Sequence, residues 1–209
     1  MDENLLIHNY FLINVHGQIE SCIFPGDDLD SIQCRCIFRN GPDWSLLNAD
    51  NSTNENDVCY ISQIANKVDD GKQRFVWNLP FEATFKSTNV FGWPQLIVIV
   101  YCIDNFGNDI VRGYGWIHLP TKPGSHVERI RLFAPDSATM LNRITSWFVQ
   151  SRKPTFTDAR LAAGNDGRSL VAVQGTGEVT VHLNLLFKDF KKFGFEFDLH
   201  QLFLQHRFK

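Results

Sequence analysis

The sequence predicts an antiparallel β-sandwich of about eight short strands, and three observations carry that reading. Apolar residues recur at alternate positions in stretch after stretch; clusters of Gly, Pro, Asn and Asp separate those stretches; only one long internal segment switches to helical spacing. Alternation of period two turns one row of side chains towards a core and the other towards water, as in a half-buried strand.

In the first stretch Phe11, Ile13, Val15 and Ile19 alternate with Asn14, His16, Gln18 and Glu20, with a bend expected at Gly17. Ile32, Cys34, Cys36 and Phe38 form a second strand, closed by the turn Asn40-Gly41-Pro42-Asp43. The Asn-rich segment 48–57 reads as a solvated loop, and 58–67 as a short strand or a helical turn. Phe75, Trp77, Leu79, Phe81, Ala83 and Phe85 make the clearest strand. Pro80 removes one ladder donor from it, which predicts an edge or a bulge there.

Leu96 to Ile103 is apolar on both faces, as expected of a central strand. Val111, Gly113, Gly115, Ile117 and Leu119 alternate next, and Val179, Val181, Leu183 and Leu185 form a last strand after the Gly175-Thr176-Gly177 turn. The helical exception is one inserted amphipathic helix over about 136–149. Asp136 caps its first turn, and Met140, Leu141, Ile144, Trp147 and Phe148 line one face. A shorter helical piece is expected over 158–163, stopped by Gly164.

Bulk properties set the function classes. With 209 residues, 44% of them hydrophobic and 13% aromatic, the chain can bury roughly 70% of its unfolded surface. A net charge of −3, from 20 basic and 23 acidic residues, supplies no global field towards nucleic acid. The longest apolar run, eight residues, is too short to span a bilayer. The start MDENLLIHNYFLINV lacks the pattern of a secretory or transit segment, so the expectation is a cytosolic chain with reduced thiols at Cys22, Cys34, Cys36, Cys59 and Cys102.

No catalytic kit is legible. The Gly-x-Ser-x-Gly elbow, the phosphate loop and the dinucleotide fingerprint are all missing, and GTGEV leads into a strand rather than a helix. Cys34-x-Cys36 puts two thiols on one strand face with no second ligand pair, which fits buried cysteines rather than zinc. A hydrolase built on Cys102 or Cys36 lacks a positioned base, and His118 and His182 fall on polar faces as solvated imidazoles.

VYCIDNFGNDIVRGYGWIHLP, residues 100–120, resembles the end of the calcium-dependent membrane-binding sandwich domains of the C-two superfamily. There, loop aspartates jointly hold Ca²⁺, a hard cation that takes six to eight oxygens. The residues that would do so here are Asp28, Asp30, Asp104 and Asp109, with Asp27 beside them. Cys102 stands where the first loop aspartate is expected, and a thiol is a poor calcium ligand, so the expectation is no metal.

The longer stretch WNLPFEATFKSTNVFGWPQLIVIVYCIDNFGNDIVRGYGWIHLP, with GPDW at 41–44, LNRITSWF at 141–148 and FTD at 156–158, resembles the B-nine domain family. The likeness covers most of 7–188. Its fold signature falls on Trp77, Phe85, Gly92, Trp93, Pro94, Gly107, Asp109, Gly113 and Gly115. Lys86 to Asn89 turns the chain out of its strand, Phe91 and Trp93 plug the open end of the sandwich, and Pro94 fixes the start of the buried strand.

The resemblance implies a B-nine type sandwich over 1–188 and a non-enzymatic role without cofactors: a scaffold subunit of the ciliary transition zone. Its implied partners are other B-nine domain proteins, in a hetero-oligomer, and transition-zone membrane proteins of tectonic and meckelin type. Such a complex, also called Meckel syndrome or tectonic-like, supports cilium assembly and the diffusion barrier to membrane proteins. The implied place is the cytoplasm at the cilium base, at the transition zone and basal body.

The tail, 189–209, mixes phenylalanines with lysines. Leu199, Leu202, Phe203 and His206 recur at helical spacing, so a short amphipathic helix is expected. Candidate partner or membrane contacts are Phe91, Trp93, Phe106, Arg112, Lys191, Lys192, Leu199 and Phe203. The competing reading is a peripheral, calcium-independent lipid-binding C-two-like module. It would use Arg35, Arg39, Lys72, Arg74 and Lys86 as a basic face and Phe106 as an inserted tip.

Overall fold

The computed structural model describes residues 9–25, 29–47, 58–103, 108–135 and 173–195. Within them lie ten strands: β1 Phe11–Ile23, β2 Ser31–Arg39, β3 Trp44–Leu46, β4 Cys59–Ile61, β5 Ala65–Asn66, β6 Arg74–Ser87, β7 Gln95–Ile103, β8 Asp109–His118, β9 Gly124–Pro135 and β10 Val173–Lys188. A 3₁₀ turn, Phe190–Phe193, follows. The expected helices over 136–149 and 158–163, the loop 48–57 and the helical end of the tail lie outside the described residues.

All pairing between named strands is antiparallel, in the order β3, β6, β1, β10, β9, β8, β7, β2, β4, with β5 beside β2. One residue pair, Tyr114 with Phe133, joins β8 to β9. There the ladder bends, so β3, β6, β1, β10 and β9 form one layer and β8, β7, β2, β4 and β5 the other. Gly115 lets the layers cross: a Cβ on it would lie 2.5 Å from Ile130 Cγ2 and 3.1 Å from the Arg131 carbonyl. The strands exceed the expected eight because β3, β4 and β5 are too short for an alternation to show and β9, at 12 residues, lacks a continuous apolar row.

Between the layers lies the core the alternation foretells. Ile13, Val15, Cys34, Cys36, Phe85, Leu96, Val98, Val181 and Leu185 are fully inaccessible, and burying a Val, Leu, Ile or Phe side chain contributes about 1.5–3 kcal/mol. β7 is central, between β2 and β8. Its other face carries a second cluster of Ile97, Ile99 and Tyr114, packed with Ile37, Val111, Trp116 and Phe133, which accounts for its unbroken apolar run. Pro80 pairs with Gln18 of β1, while β3 borders β6 only at Phe85 to Ser87. The missing N–H therefore falls on a stretch of β6 that has strand pairing on one side.

Candidate protein-interaction site

Aromatic side chains converge at one end of the sandwich because the start of β1, the end of β10 and the 3₁₀ turn meet there. Phe11, inaccessible to solvent, lies edge-on to Trp44 at 5.5 Å, at 4.3 Å from Phe190, and at 5.4 and 5.8 Å from Phe193 and Phe195. Phe187 stacks on Phe190 at 4.8 Å. Trp93 completes the lining, 5.4 Å from Trp44 and 6.0 Å from Phe187, with its indole N–H donating to the Leu119 carbonyl at 2.8 Å. Edge-to-face pairs of this kind add about 0.5–1.5 kcal/mol each beyond area burial.

Above this lining the loop from Ser87 to Pro94 is held by a dense set of hydrogen bonds. The Asn89 side chain donates to Asp43 Oδ2 at 2.7 Å, and its Oδ1 accepts the Phe91 N–H at 2.8 Å. Trp44 Nε1 donates to the Phe91 carbonyl at 2.8 Å, and the Gly41 N–H donates to the Gly92 carbonyl at 2.8 Å. Gly92 adopts φ 72°, in the left-handed region. Both backbone polar groups of Phe91 are thus fixed, yet its side chain is 77% exposed, beside Val90 at 40%.

Trp93 plugs the end as expected, but Phe91 does not: the left-handed turn at Gly92 separates the two, so Trp93 faces in and Phe91 faces solvent. Lys191 and Lys192 are exposed on the 3₁₀ turn that packs under Trp93, and Lys192 pairs with Asp189 at 2.7 Å. Arg112 sits half-buried on β8, its Nε donating to Cys102 Sγ at 2.9 Å. The signature residues Trp77, Phe85, Pro94, Gly113 and Gly115 are all structural, with Trp77 Nε1 donating to the Ile32 carbonyl at 3.2 Å.

Of the acidic set, Asp30 and Asp109 are exposed, ahead of β2 and at the start of β8; Asp27, Asp28 and Asp104 lie outside the described residues, as do Phe106, Gly107, Leu199 and Phe203. No metal-holding group of three or more His, Cys, Asp or Glu occurs among the described residues. The supposed basic face is divided: Arg35 and Arg39 belong to one layer, Arg74 and Lys86 to opposite ends of a strand in the other. Arg35 lies over the Tyr101 ring and Arg74 pairs with Asp70.

A shallow groove of about 720 Å³ also crosses the outer face of β6, β1, β10 and β9. No Lys or Arg lines it. Three of its polar side chains are engaged: His182 Nε2 with Glu20 Oε2, outside the lining, at 2.9 Å, and Asn184 Nδ2 with His16 Nε2 at 3.0 Å.

Burial pushes the Cys22, Cys34 and Cys36 thiols well above their ordinary range by penalising the thiolate. Cys59 alone is exposed. Because the thiolate is the nucleophile, iodoacetamide at pH 8 is expected to alkylate Cys59 in the native chain and the other four only in denaturant. Rapid native labelling of Cys34 or Cys36, read by peptide mass, would contradict the packing.

The family model described as "Ciliary basal body-associated, B9 protein" matches residues 13–186. The chain is 49% identical over 185 residues to B9 domain-containing protein 1 of Xenopus laevis, covering 88% of each chain. It is 43% identical to the Homo sapiens protein of that name, over 89% of this chain and 86% of that one. To B9 domain-containing protein 2 of Homo sapiens it is 25% identical, over 88% and 98%. Among solved structures, a C2 domain of plant Extended Synaptotagmin 1 is 14% identical, with a TM-score of 0.43, over 84% of this chain and 93% of that one.

Proposed function

Because the chain belongs to the ciliary basal body-associated B9 protein family, we propose that it is a non-enzymatic scaffold subunit of the transition-zone assembly at the cilium base. In this reading it is cytoplasmic and associates with other B9 domain proteins and with membrane proteins of tectonic and meckelin type. It thereby supports cilium assembly and the barrier to membrane-protein diffusion.

The carrying observation is Phe91: a large aromatic group 77% exposed on a loop whose backbone is already fixed. Exposed rings cost solubility, and a pre-ordered anchor loses little entropy on docking, which suits a binding hot spot. Phe91→Ala is expected to weaken co-purification with a B9 domain-containing protein 2 by about 30-fold while stability stays within about 0.5 kcal/mol. A parent chain that remains separate from that relative at micromolar mixing sinks the reading. The alternative, a calcium-independent lipid-binding module, predicts salt-sensitive co-sedimentation with anionic vesicles; the division of its basic residues between two layers weighs against it.

A further inference from the structure

β9 is bonded to β10 from Gly124 to Pro135 on one side, but on the other it meets β8 only at Phe133. Near Gly115, β8 crosses over Ile130 and Leu132, so Gly124 to Arg129 has no strand neighbour on its outer side among the described residues. An edge like this offers a row of unpaired N–H and C=O groups for another strand. Prolines, bulges, extreme shortness or charged side chains, inward-pointing ones included, usually blunt such edges. This stretch has no proline and no register shift, its Val127 is 61% exposed, and the charges it does carry, Glu128 and Arg129, leave the edge open only to a partner that matches them.

We propose that this edge pairs with the same edge of a second copy of the chain, antiparallel and centred on Val127. The register follows from symmetry and charge. A two-fold axis perpendicular to the sheet keeps each side chain on its own face, so the axis, running between the two strands, must lie level with one residue that faces its own copy and not between two successive residues. Centred on Glu128, the pairing sets the two Glu128 carboxylates opposite each other; centred on Arg129, it opposes two guanidinium groups; centred on His126, it opposes two imidazoles and leaves Glu128 facing Gly124. Centred on Val127, it places the two exposed valines together, His126 opposite Glu128 twice, and Ser125 opposite Arg129 twice.

Glu128 suits this role. It is half-buried and has no hydrogen-bond or ion-pair partner among the described residues. His126 Nε2–H donates to the Lys122 carbonyl at 2.9 Å, so Nδ1 meets the Glu128 carboxylate as a second donor when the ring carries both protons. The layer β3, β6, β1, β10, β9 would then run on unbroken into its copy across the axis. This contact is separate from the Phe91 loop, so Phe91→Ala leaves it intact.

The test is the mass of the full chain by light scattering or sedimentation equilibrium, from about 1 to 100 μM. The expected result is a species of twice 24.0 kDa that grows with concentration. His126→Glu, which faces Glu128 with a second carboxylate, should weaken it at least ~10-fold, and the swap His126→Glu/Glu128→His should restore it to within about threefold. Val127→Lys, carrying an ammonium to the axis, should also give monomer, with circular dichroism confirming that each variant is folded. A mass of 24.0 kDa at every concentration, His126→Glu dimerising like the parent, or a folded swap variant that stays monomeric overturns the proposal. So does a monomeric parent in which His126→Glu instead weakens binding to a B9 domain-containing protein 2, which would assign the edge to that relative.

Discussion

Phe11→Ala is expected to remove about 3–5 kcal/mol of stability. The Phe11 ring is inaccessible and touches Trp44, Phe190, Phe193 and Phe195, which come from a short edge strand, the 3₁₀ turn and the residues just beyond it. None of those elements holds itself in place, since a 3₁₀ turn of four residues has little intrinsic stability. Deleting the ring therefore opens a cavity and also loosens what packs on it. Domains are stable by only about 5–15 kcal/mol, so about a fifth or more of the total is at stake. In a chain of this size the melting temperature should fall by about 10 °C. Urea denaturation followed by tryptophan fluorescence measures the loss; a change below about 1 kcal/mol would mean that the aromatic end is a surface cluster and not core.

Gly92→Ala is expected to cost about 3 kcal/mol from two sources that act together. At φ 72° an L side chain is strained, and its Cβ would sit 2.6 Å from the Gly41 Cα. Neither backbone can retreat, because the Gly41 N–H is bonded to the Gly92 carbonyl at 2.8 Å and Trp44 holds Phe91 next door. Gly41→Ala meets the same contact from the other side, at 2.7 Å. It lacks the positive φ, so it should cost less, about 1–2 kcal/mol. Equal losses in the two variants would show that crowding alone, and not backbone strain, makes glycine necessary at 92. Gly92→Ala should also weaken partner binding, since it displaces the loop that presents Phe91, whereas Phe11→Ala acts mainly on folding.

The strands that were legible share one property: their inward rows are apolar from end to end. β1, β2, β6, β7, β8 and β10 meet that condition over the stretches where they alternate; β1 runs on through the bend expected at Gly17, and β10 starts at Val173, taking in the turn expected at Gly175 to Gly177 as a register shift within the strand. β9 does not. Its inward row reads His126, Glu128, Ile130, Leu132, polar for the first half because β8 covers only the second half, and the strand passes unnoticed in the sequence for that reason. Three-residue β3 had only Trp44 and Leu46 to show, too few for a period. The Phe91 site was half legible. Its composition marked a special turn, but which of two aromatics faces water hangs on the sign of one backbone angle at Gly92.

Residue order alone already dictates the sandwich class, the in-and-out parity of the long strands, the central place of β7 and the lack of a recognisable catalytic motif. These are properties of neighbouring residues, written in a period of two along the chain. That β1 pairs with β10, residues some 170 positions apart, that β8 leaves half of β9 uncovered, and that Phe91 stands outside while Trp93 lies within are settled only once the chain is folded. Such outcomes depend on which distant backbones approach closely enough to bond, and that is fixed by the packing of the whole core, which no single stretch of sequence contains.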